Sequence, residues 1–432
     1  MNNSVRTLFD NLKLPCGLSL KNRIVKAAMT EGLSIDGNAN SRLKTIYSKW
    51  SQGGVGLLIS GNVMVDRRYL ERPGNIIIDE KCNKMLLAEW ARSCQQNGTR
   101  MWLQLSHPGR QCTRWVNQEP VAPSAVELDL FYMFKKPRAL EHDEIIKIIE
   151  QYANAAAIAK ECGFDGVQIH GAHGFLISQF LSPLTNKRND EWGGSSINRS
   201  RFLIEVIKAV RNQVGDTFAI GLKLNSSDFQ KGGYSIEHCL ELIRTLNQLP
   251  LDLLELSGGT YEQPQLLGHH GDLAKADIPK RNSTILREAY FVEYAKQAQL
   301  IAAMPLMVTG GFRHKAAMQA ALEYVDCIGI GRPFCVMPDW PNRMQKGQTQ
   351  TLPDPERTII GRGKWGTSSP WKSIQGLNIQ GEVAWFYYQI IRLSDNKPLR
   401  RSKKITCALL FHIIREQWLA AKRRRQLRRD IE

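Results

Sequence analysis

The stretch Asp165–Arg201 reads DGVQIHGAHGFLISQFLSPLTNKRNDEWGGSSINRSR and joins a short apolar segment, two histidines and a long polar loop. Val167 and Ile169 are typical strand residues that follow a glycine-containing turn, so His170 falls where a parallel strand should end. His173 follows three positions later on the same loop. Two nearby histidines are also compatible with ordinary packing, so the sequence around them has to decide between packing and chemistry.

Outward from this stretch, strand-like apolar segments alternate with amphipathic helical patterns. Besides the strand around Val167, strands are predicted at 24–29, 55–60, 101–105, 218–224, 251–256, 306–309 and 325–330. Helices are predicted at 41–52, 81–96, 143–161, 199–214, 236–248, 289–303 and 315–322. Eight strands that alternate with helices predict an α/β fold, either a (β/α)₈ TIM barrel or a doubly wound sheet.

The position of the polar and glycine-rich residues favours the barrel. They follow the strands, as in Thr30-Glu31-Gly32 after the first strand, and in a barrel all these carboxyl ends face one pocket. No GxGxxG motif opens the first helix, so a dinucleotide-binding sheet is the weaker alternative. Residues 12–20 contain a Pro-Cys-Gly turn and predict a hairpin that closes the bottom of the barrel.

Three regions are predicted along the chain. Residues 1–347 form the barrel, and residues 348–394 form a connector and an extension with the aromatic patch Trp385–Tyr388. Residues 395–432 form a basic terminal segment that is predicted to be helical. The fold is therefore predicted as a barrel with an N-terminal hairpin and a C-terminal extension.

The charge of +17 is concentrated in the last region. Between Asp395 and Glu432 there are twelve Lys or Arg against four Asp or Glu, which is 12 − 4 = +8. A solvated terminal helix is the first interpretation, and attraction to an acidic membrane surface is the second. Nucleic-acid binding is not expected, because Trp418 is the single aromatic residue between Arg415 and Arg429 and no aromatic platform interleaves the arginines.

The remaining composition excludes several other classes of protein. With 43% hydrophobic and 23% charged residues, and no uninterrupted apolar run near the ~18 residues of a membrane span, the chain is predicted to be an ordinary globular protein. The first twenty residues lack a secretory signal, so a cytoplasmic location is predicted. Nine scattered cysteines without a CxxC pair argue against a zinc site and a disulfide framework.

The segment Gln179–Arg199, QFLSPLTNKRNDEWGGSSINR, resembles the signature that follows a His-x-x-His or His-x-x-Asn pair in the old yellow enzyme family. The resemblance covers roughly Leu12 to Met344, and a departure at Ser196-Ile197 is expected to matter only for structure. It implies bound FMN, NADH or NADPH as reductant and a small-molecule acceptor. Beyond Cys335 only Cys407 remains, so the iron–sulfur cluster of one family branch is not expected.

The same resemblance assigns the cofactor-binding residues. Residues predicted to contact the flavin ring are Ala28, Met29, Thr30, Gly61, Gln104, His170 and Lys223. Residues predicted to bind the phosphate, which suits glycine-exposed amides and a cation, are Gly310, Gly311, Gly331 and Arg332. Lys223 stands where many relatives carry arginine and would stabilise the anionic reduced flavin. A barrel lysine paired with an acid is the alternative, and Lys223→Met is expected to weaken flavin reduction more than the fold.

His170 and His173 are predicted to donate hydrogen bonds to the carbonyl oxygen of an enone-like acceptor, as the family's histidines do. The family usually carries a proton-donating tyrosine where this chain has Phe175, which has no proton to give. Tyr261, after the sixth strand, and Tyr69, after the second, are the candidate substitutes.

Two further functions stay open at this point. One is a flavin-free, phosphate-handling lyase or isomerase that uses the amine of Lys223 as a Schiff base. The other is a non-catalytic FMN-binding scaffold whose basic tail recruits an acidic partner. The choice of nicotinamide nucleotide and a homo-oligomeric state are not decided by the sequence.

Overall fold

The structure is a computed structural model that describes residues 6–128, 130, 133–262, 292–355, 361, 363–366 and 369–429. The strands, numbered along the chain, are β1 (Leu12–Lys13), β2 (Ser19–Leu20), β3 (Ile24–Lys26), β4 (Leu57–Met64), β5 (Ile76–Ile77), β6 (Arg100–Ser106), β7 (Val121–Ala122), β8 (Arg138–Ala139), β9 (Gly166–Gly171), β10 (Ala219–Asn225), β11 (Leu253–Ser257), β12 (Leu306–Thr309) and β13 (Cys327–Ile330).

The helices lie mainly between the strands and after them. They are α1 (Ser41–Gln52), α2 (Lys84–Gln95), α3 (His142–Glu161), α4 (Leu176–Leu181), α5 (Ser196–Val214), α6 (Ile236–Leu246), α7 (292–299), α8 (Lys315–Ala321), α9 (Trp340–Gln345), α10 (Lys372–Ser394) and α11 (Ile405–Arg429). Within the described residues, no helix has the length and apolar character needed to cross a membrane.

Eight parallel strands form a closed barrel in the order β3, β4, β6, β9, β10, β11, β12 and β13. The pairing of β13 with β3 closes the ring. The predicted (β/α)₈ barrel is confirmed, and the doubly wound sheet is wrong, because an open sheet would leave β3 and β13 as unpaired edges.

The apolar core has two parts that follow from side-chain alternation along the strands. Outward-facing residues pack against the ring of helices. At the amino-terminal end of the barrel, inward-facing residues such as Trp102, Leu253 and Met307 pack against Leu12 and Leu20 of the hairpin. Strands β1 and β2 are antiparallel, so the predicted hairpin at the bottom of the barrel is confirmed.

Strand β4 is longer than the sequence predicts because it contains a bulge. Its register against β6 shifts between Ile59 and Asn62, and the strand continues to Met64. The Ser60 hydroxyl accepts a hydrogen bond from the Gln104 amide at 2.9 Å inside this bulge. The sequence predicts that the strand ends at Ser60, whereas Ser60, Gly61 and Asn62 lie at a bulge that re-aims the next side chain.

Helix boundaries differ from the predictions where side chains cap the helix. Helix α2 begins at Lys84 because Asn83 accepts a hydrogen bond from the Leu86 amide, and the serine before α5 acts in the same way. The first three residues of the helix predicted at 289–303 lie outside the described residues. The aromatic patch lies within α10, which packs on α11 and α1.

Candidate active site

A buried chain of polar side chains crosses the middle of the barrel above the apolar bottom layer. Gln104 donates to Gln168 at 2.7 Å, and Gln168 donates to Glu255 at 2.7 Å. The Nζ atom of Lys223 lies 2.9 Å from Oε1 of Glu255, and both side chains are almost fully buried. These residues face inward from four neighbouring strands, β6, β9, β10 and β11, because alternate residues of a strand point to the same side. The ammonium of Lys223 therefore lies inside the barrel beside the carboxylate of Glu255.

The two histidines lie at the carboxyl end of β9 and on the loop that follows it, with His170 level with Lys223. His170 is the last residue but one of β9 and pairs with Lys223 in the strand register, and its Nε2 lies 3.4 Å from Nδ1 of His173. The ring centroids are 5.4 Å apart and nearly perpendicular. Nε2 of His173 lies 2.8 Å from the hydroxyl of Ser257 at the end of β11. The predicted proximity of the two imidazoles is thus present in the structure.

The backbone of His173 adopts an unusual conformation that fixes its ring in this place. Its φ angle is +58°, which is uncommon for a residue with a side chain. The amide of His173 donates a hydrogen bond to the Asn225 side chain at 3.1 Å. Such conformations persist only where the surroundings hold them, and they are concentrated at functional sites.

Both imidazoles are neutral. Burial lowers the pKa of His170 well below its ordinary value, and His173 and Lys223 lower it further through their charge. Burial, followed by the charge of Lys223, does the same to the pKa of His173. Each ring therefore carries one N–H, and its hydrogen-bond partners decide which nitrogen holds the proton.

Asn62 and Ser106 are the partners that select the tautomer of His170. The Asn62 amide donates to Glu71 at 2.7 Å, which turns its oxygen toward Nδ1 of His170 at 2.9 Å and favours a proton there. The Ser106 hydroxyl lies 3.3 Å from the same Nδ1 and could donate to it in the other tautomer. Donation from Nε2 of His170 to an acceptor carbonyl requires this second tautomer.

Glu71 connects several of these residues and was missed by sequence reasoning. Besides the Asn62 amide, it accepts hydrogen bonds from the hydroxyls of Thr30 at 3.1 Å and Tyr261 at 3.1 Å. Asn62 directly follows Gly61, which the sequence predicts to contact the flavin. Its position just after a predicted strand was a signal that could have identified Asn62 as a site residue. Glu71 lies in a loop and gave no such signal.

The glycine at position 61 allows the segment after β3 to approach the β4 bulge. A Cβ atom there would collide with the carbonyl oxygen of Met29 and lie 2.5 Å from the Thr30 Cα. A Cβ atom at Gly331 would lie 3.3 Å from the sulfur of Met29. The predicted residues Met29, Thr30, Gly61 and Gly331 are therefore neighbours, and Ala28 precedes them, partly buried against the bottom core.

The structure separates the two candidate phenols. Tyr261 lies with its ring centroid 6.1 Å from that of Phe175, and Phe175 packs at 4.3 Å on His170. Tyr69 instead packs at 4.9 Å against the ring of His107, outside this cluster. Burial and the neighbouring Glu71 raise the pKa of Tyr261 well above its ordinary value, so its phenol keeps its proton.

The glycine turns predicted to bind phosphate lie at neighbouring strand ends, because Thr309 of β12 pairs with Gly329 of β13. Gly310 and Gly311 have φ angles of +137° and +66°, which a residue with a side chain rarely adopts. The Thr309 hydroxyl is buried and has no hydrogen-bond partner among the described residues. This suits a ligand with acceptor oxygens.

Arg332, the predicted cation of this site, forms an ion pair at 2.5 Å with Glu382 of α10. Glu382 is buried. Its carboxylate contacts the same guanidinium that the sequence predicts to bind the phosphate. The extension beyond the barrel therefore reaches a predicted cofactor residue.

The extension also builds part of the barrel mouth around Arg72, the residue after Glu71. The Arg72 guanidinium lies 4.1 Å above the ring of Tyr387 in α10. From α11, Nε2 of His412 lies 3.1 Å from Arg72, and Glu416 lies 3.5 Å from it. Burial, followed by the charges of Arg72 and Arg415, lowers the pKa of His412 to about 3. The sequence offered no signal for these contacts between distant segments.

Among the described residues, no group of three His, Cys, Asp or Glu side chains is arranged as a metal site. The described residues instead bring two neutral imidazoles, a buried cation and glycine turns to the carboxyl ends of the strands. Such an arrangement can polarise a carbonyl and hold an anionic ligand.

Comparison with known proteins agrees with this geometry. Residues 7–351 match the family described as the NADH:flavin oxidoreductase / NADH oxidase family. An NADH-dependent flavin oxidoreductase of Hypocrea jecorina is 37% identical over 374 residues, which cover 80% of this chain and 92% of the relative. An NADPH dehydrogenase of a Geobacillus species is 36% identical over 344 residues, covering 78% and 93%. The solved structure of an old yellow enzyme homologue from Zymomonas mobilis superposes with a TM-score of 0.68 at 27% identity, covering 84% and 99%.

Proposed function

This chain belongs to the NADH:flavin oxidoreductase / NADH oxidase family, and from that premise we propose an FMN-dependent reductase whose electrophilic acceptor binds at His170 and His173. Membership makes it a flavin-dependent oxidoreductase of NADH or NADPH. The observation that carries the finer proposal is the pair of buried, neutral imidazoles at the strand ends. The proposal includes FMN as the redox group without an iron–sulfur cluster, a cytoplasmic location and a homo-oligomeric state.

The residues around the pocket fit FMN. The ring would be held by Ala28, Met29, Thr30, Gly61, Gln104, His170 and Lys223, and the phosphate by Gly310, Gly311, Gly331 and Arg332. The positive φ angles of the two glycines and the unpartnered Thr309 hydroxyl support the phosphate assignment. Bound FMN would supply two-electron chemistry, taking a hydride from the nicotinamide and giving it to the acceptor.

The protein's own residues would polarise the acceptor. A carbonyl oxygen that accepts hydrogen bonds from His170 and His173 gains stabilisation as negative charge develops on it. Ser106 and Ser257 would hold the two rings in the tautomers that donate. Enones and quinones both present such a carbonyl.

We expect the purified protein to be yellow and to bind FMN with one cofactor per chain. Absorption spectroscopy and release of the cofactor by denaturation would measure this, and anaerobic mixing with NADH and NADPH separately would identify the preferred reductant. A colourless protein that takes up no FMN on incubation would refute the proposal. FMN that neither nucleotide reduces would favour the binding scaffold instead.

Tyr261→Phe is expected to lower the rate of cyclohexenone reduction by roughly 10²-fold, the small end of the contribution of a general acid. The effect should be small because Glu71 holds the Tyr261 hydroxyl. Steady-state kcat/KM with cyclohexenone and with a quinone would measure it, and the quinone rate should stay unchanged. The matched control is Tyr69→Phe, which removes a phenol that packs on His107 and should change neither rate. Equal losses for both acceptors would contradict the assignment.

Phe175→Tyr is expected to raise cyclohexenone reduction by at least ~10-fold, because it adds a hydroxyl to a buried ring that packs directly on His170. Quinones and oxygen need no positioned proton, so their rates should change little. In the Phe175→Tyr background, Tyr261→Phe should lose its effect. An unchanged cyclohexenone rate would mean that another group already delivers the proton.

A further inference from the structure

Helix α11 has two faces of opposite character. Its inner face is buried and bonded to the barrel mouth, where Arg415 donates to the carbonyl oxygen of Gly32 at 2.6 Å. On the outer face, Leu410, Ile414 and Trp418 are 61%, 59% and 55% exposed. Their spacing of four residues places them in one stripe along the helix, about 12 Å long. Large apolar side chains aligned in this way on a surface mark a site of interaction.

Basic residues flank the apolar stripe at both ends. Exposed arginines and lysines precede it at Arg400, Arg401 and Lys404, and follow it at Lys422, Arg424 and Arg425. Between residues 396 and 429 the sequence contains a single acid, Glu416, which lies on the inner face near Arg72. The outer surface of this helix is therefore apolar in the middle and positive toward its carboxyl end, and a positive segment precedes the helix.

We infer that the outer face of α11 docks the protein on an anionic lipid surface. A helix with an apolar face and a lysine- and arginine-rich surround is the form that lies in the plane of a membrane interface, where basic residues add attraction to acidic headgroups. Trp418 at the edge of the stripe suits the headgroup level, where one side of the indole is wet.

A second copy of the chain is the less favourable occupant. If two α11 helices paired in parallel through their stripes, the basic ends around Arg424 would face each other. If they paired antiparallel, that end would face the basic start around Arg400. Both arrangements bring like charges together, which costs free energy at an interface. An acidic protein is also disfavoured, because three side chains on a convex helix offer much less area than the ~800 Å² per partner of a stable complex.

The docking face would orient the active site. Since the inner face of α11 contacts Gly32 and Arg72 beyond β3 and β4, only the thickness of one helix, about 10 Å, separates the barrel mouth from the lipid. This step rests on the proposed function: with the active site held at the membrane, the favoured acceptors are lipophilic molecules dissolved in it, such as quinones with an apolar tail. Lipid binding itself can be measured without activity, so the two proposals fail separately.

The experiment is co-sedimentation of the full chain with vesicles of phosphatidylcholine alone and of phosphatidylcholine mixed with an equal part of phosphatidylserine. We expect at least ~10-fold tighter binding to the acidic vesicles, weakened by added salt. Leu410→Gln/Ile414→Gln/Trp418→Gln and, separately, Arg424→Gln/Arg425→Gln should each lower that affinity by at least ~10-fold. All five side chains are exposed, so thermal unfolding should be unchanged.

Matched controls use equally exposed residues on other helices. Ile197→Gln on α5 replaces an apolar residue that is 71% exposed, and Arg92→Gln/Lys147→Gln removes two charges from α2 and α3. Neither should alter vesicle binding. Equal binding to both vesicle types, or a stripe variant that binds like the parent, would overturn the inference. A parent dimer that the stripe variant converts to a monomer would also overturn it, in favour of a second copy.

Discussion

With alanine at both His170 and His173, the enzyme is expected to reduce cyclohexenone at least ~10²-fold more slowly, while it still binds FMN. Removal of one preorganised donor from a site of developing negative charge typically costs 10²–10³-fold in rate, and here both donors are lost. The two rings are neutral and face each other at 3.4 Å, so one carbonyl oxygen can approach both. Stopped-flow mixing of the dithionite-reduced protein with cyclohexenone would measure the effect without the nicotinamide step.

The control for this prediction is His238→Ala, which removes a histidine ring from α6 and should leave the rate unchanged. Cofactor content must be compared in all variants, because His170 is also predicted to contact the flavin. If the double variant bound FMN and reacted with cyclohexenone at the parental rate, the carbonyl would have to be held by other groups, Asn225 first among them.

Lys223→Met is expected to lower the free energy of unfolding by ~3–5 kcal/mol, the usual cost of removing one partner from a buried ion pair. Glu255 would keep a buried carboxylate without its cation, although Gln168 still donates to it. From sequence alone the same change was expected to affect flavin reduction more than the fold. The contact with Glu255 adds a large cost to the fold, so urea unfolding and anaerobic flavin reduction must both be measured.

The companion variant Lys223→Met/Glu255→Gln removes both charges and should recover most of the lost stability while flavin reduction stays slow. Lys208→Met is the matched surface control, because Lys208 pairs with Glu205 at 3.0 Å in solvent and should contribute less than about 1 kcal/mol. A Lys223→Met variant no less stable than Lys208→Met would mean that the buried pair contributes little.

The residues that the sequence located well are those fixed by strand periodicity. Lys223 and His170 lie on strands whose alternation decides which side chains face the barrel axis, so their layer follows from the local pattern. The glycine turns after β12 and β13 were found for the same reason. Boundaries failed at β4, where the Ser60-Gly61 bulge breaks the alternation and the strand continues to Met64.

The residues that the sequence missed are those joined by loop packing. Glu71 meets Tyr261 across 190 positions, and nothing in the local pattern announces that contact. The choice between Tyr69 and Tyr261 also depended on loop conformation, since both follow strands. Tyr387 and Glu382 reach the mouth from α10, whose aromatic patch indicated an extension but not the surface that it covers.

The contacts of α10 and α11 with the barrel form late, because these helices are the last to be synthesised. Ile24–Lys26 must wait until Cys327–Ile330 has been made before the ring can close, and pairings this distant in sequence fold slowly. Glu382 and Arg415 are synthesised later still, because the chain is made from its amino terminus, and amino-terminal regions fold first. A nascent chain that has just closed its barrel therefore still lacks the contacts of Arg332 with Glu382 and of Arg72 with Glu416. At that stage the mouth of the barrel lacks two carboxylates that lie beside its arginines in the finished protein.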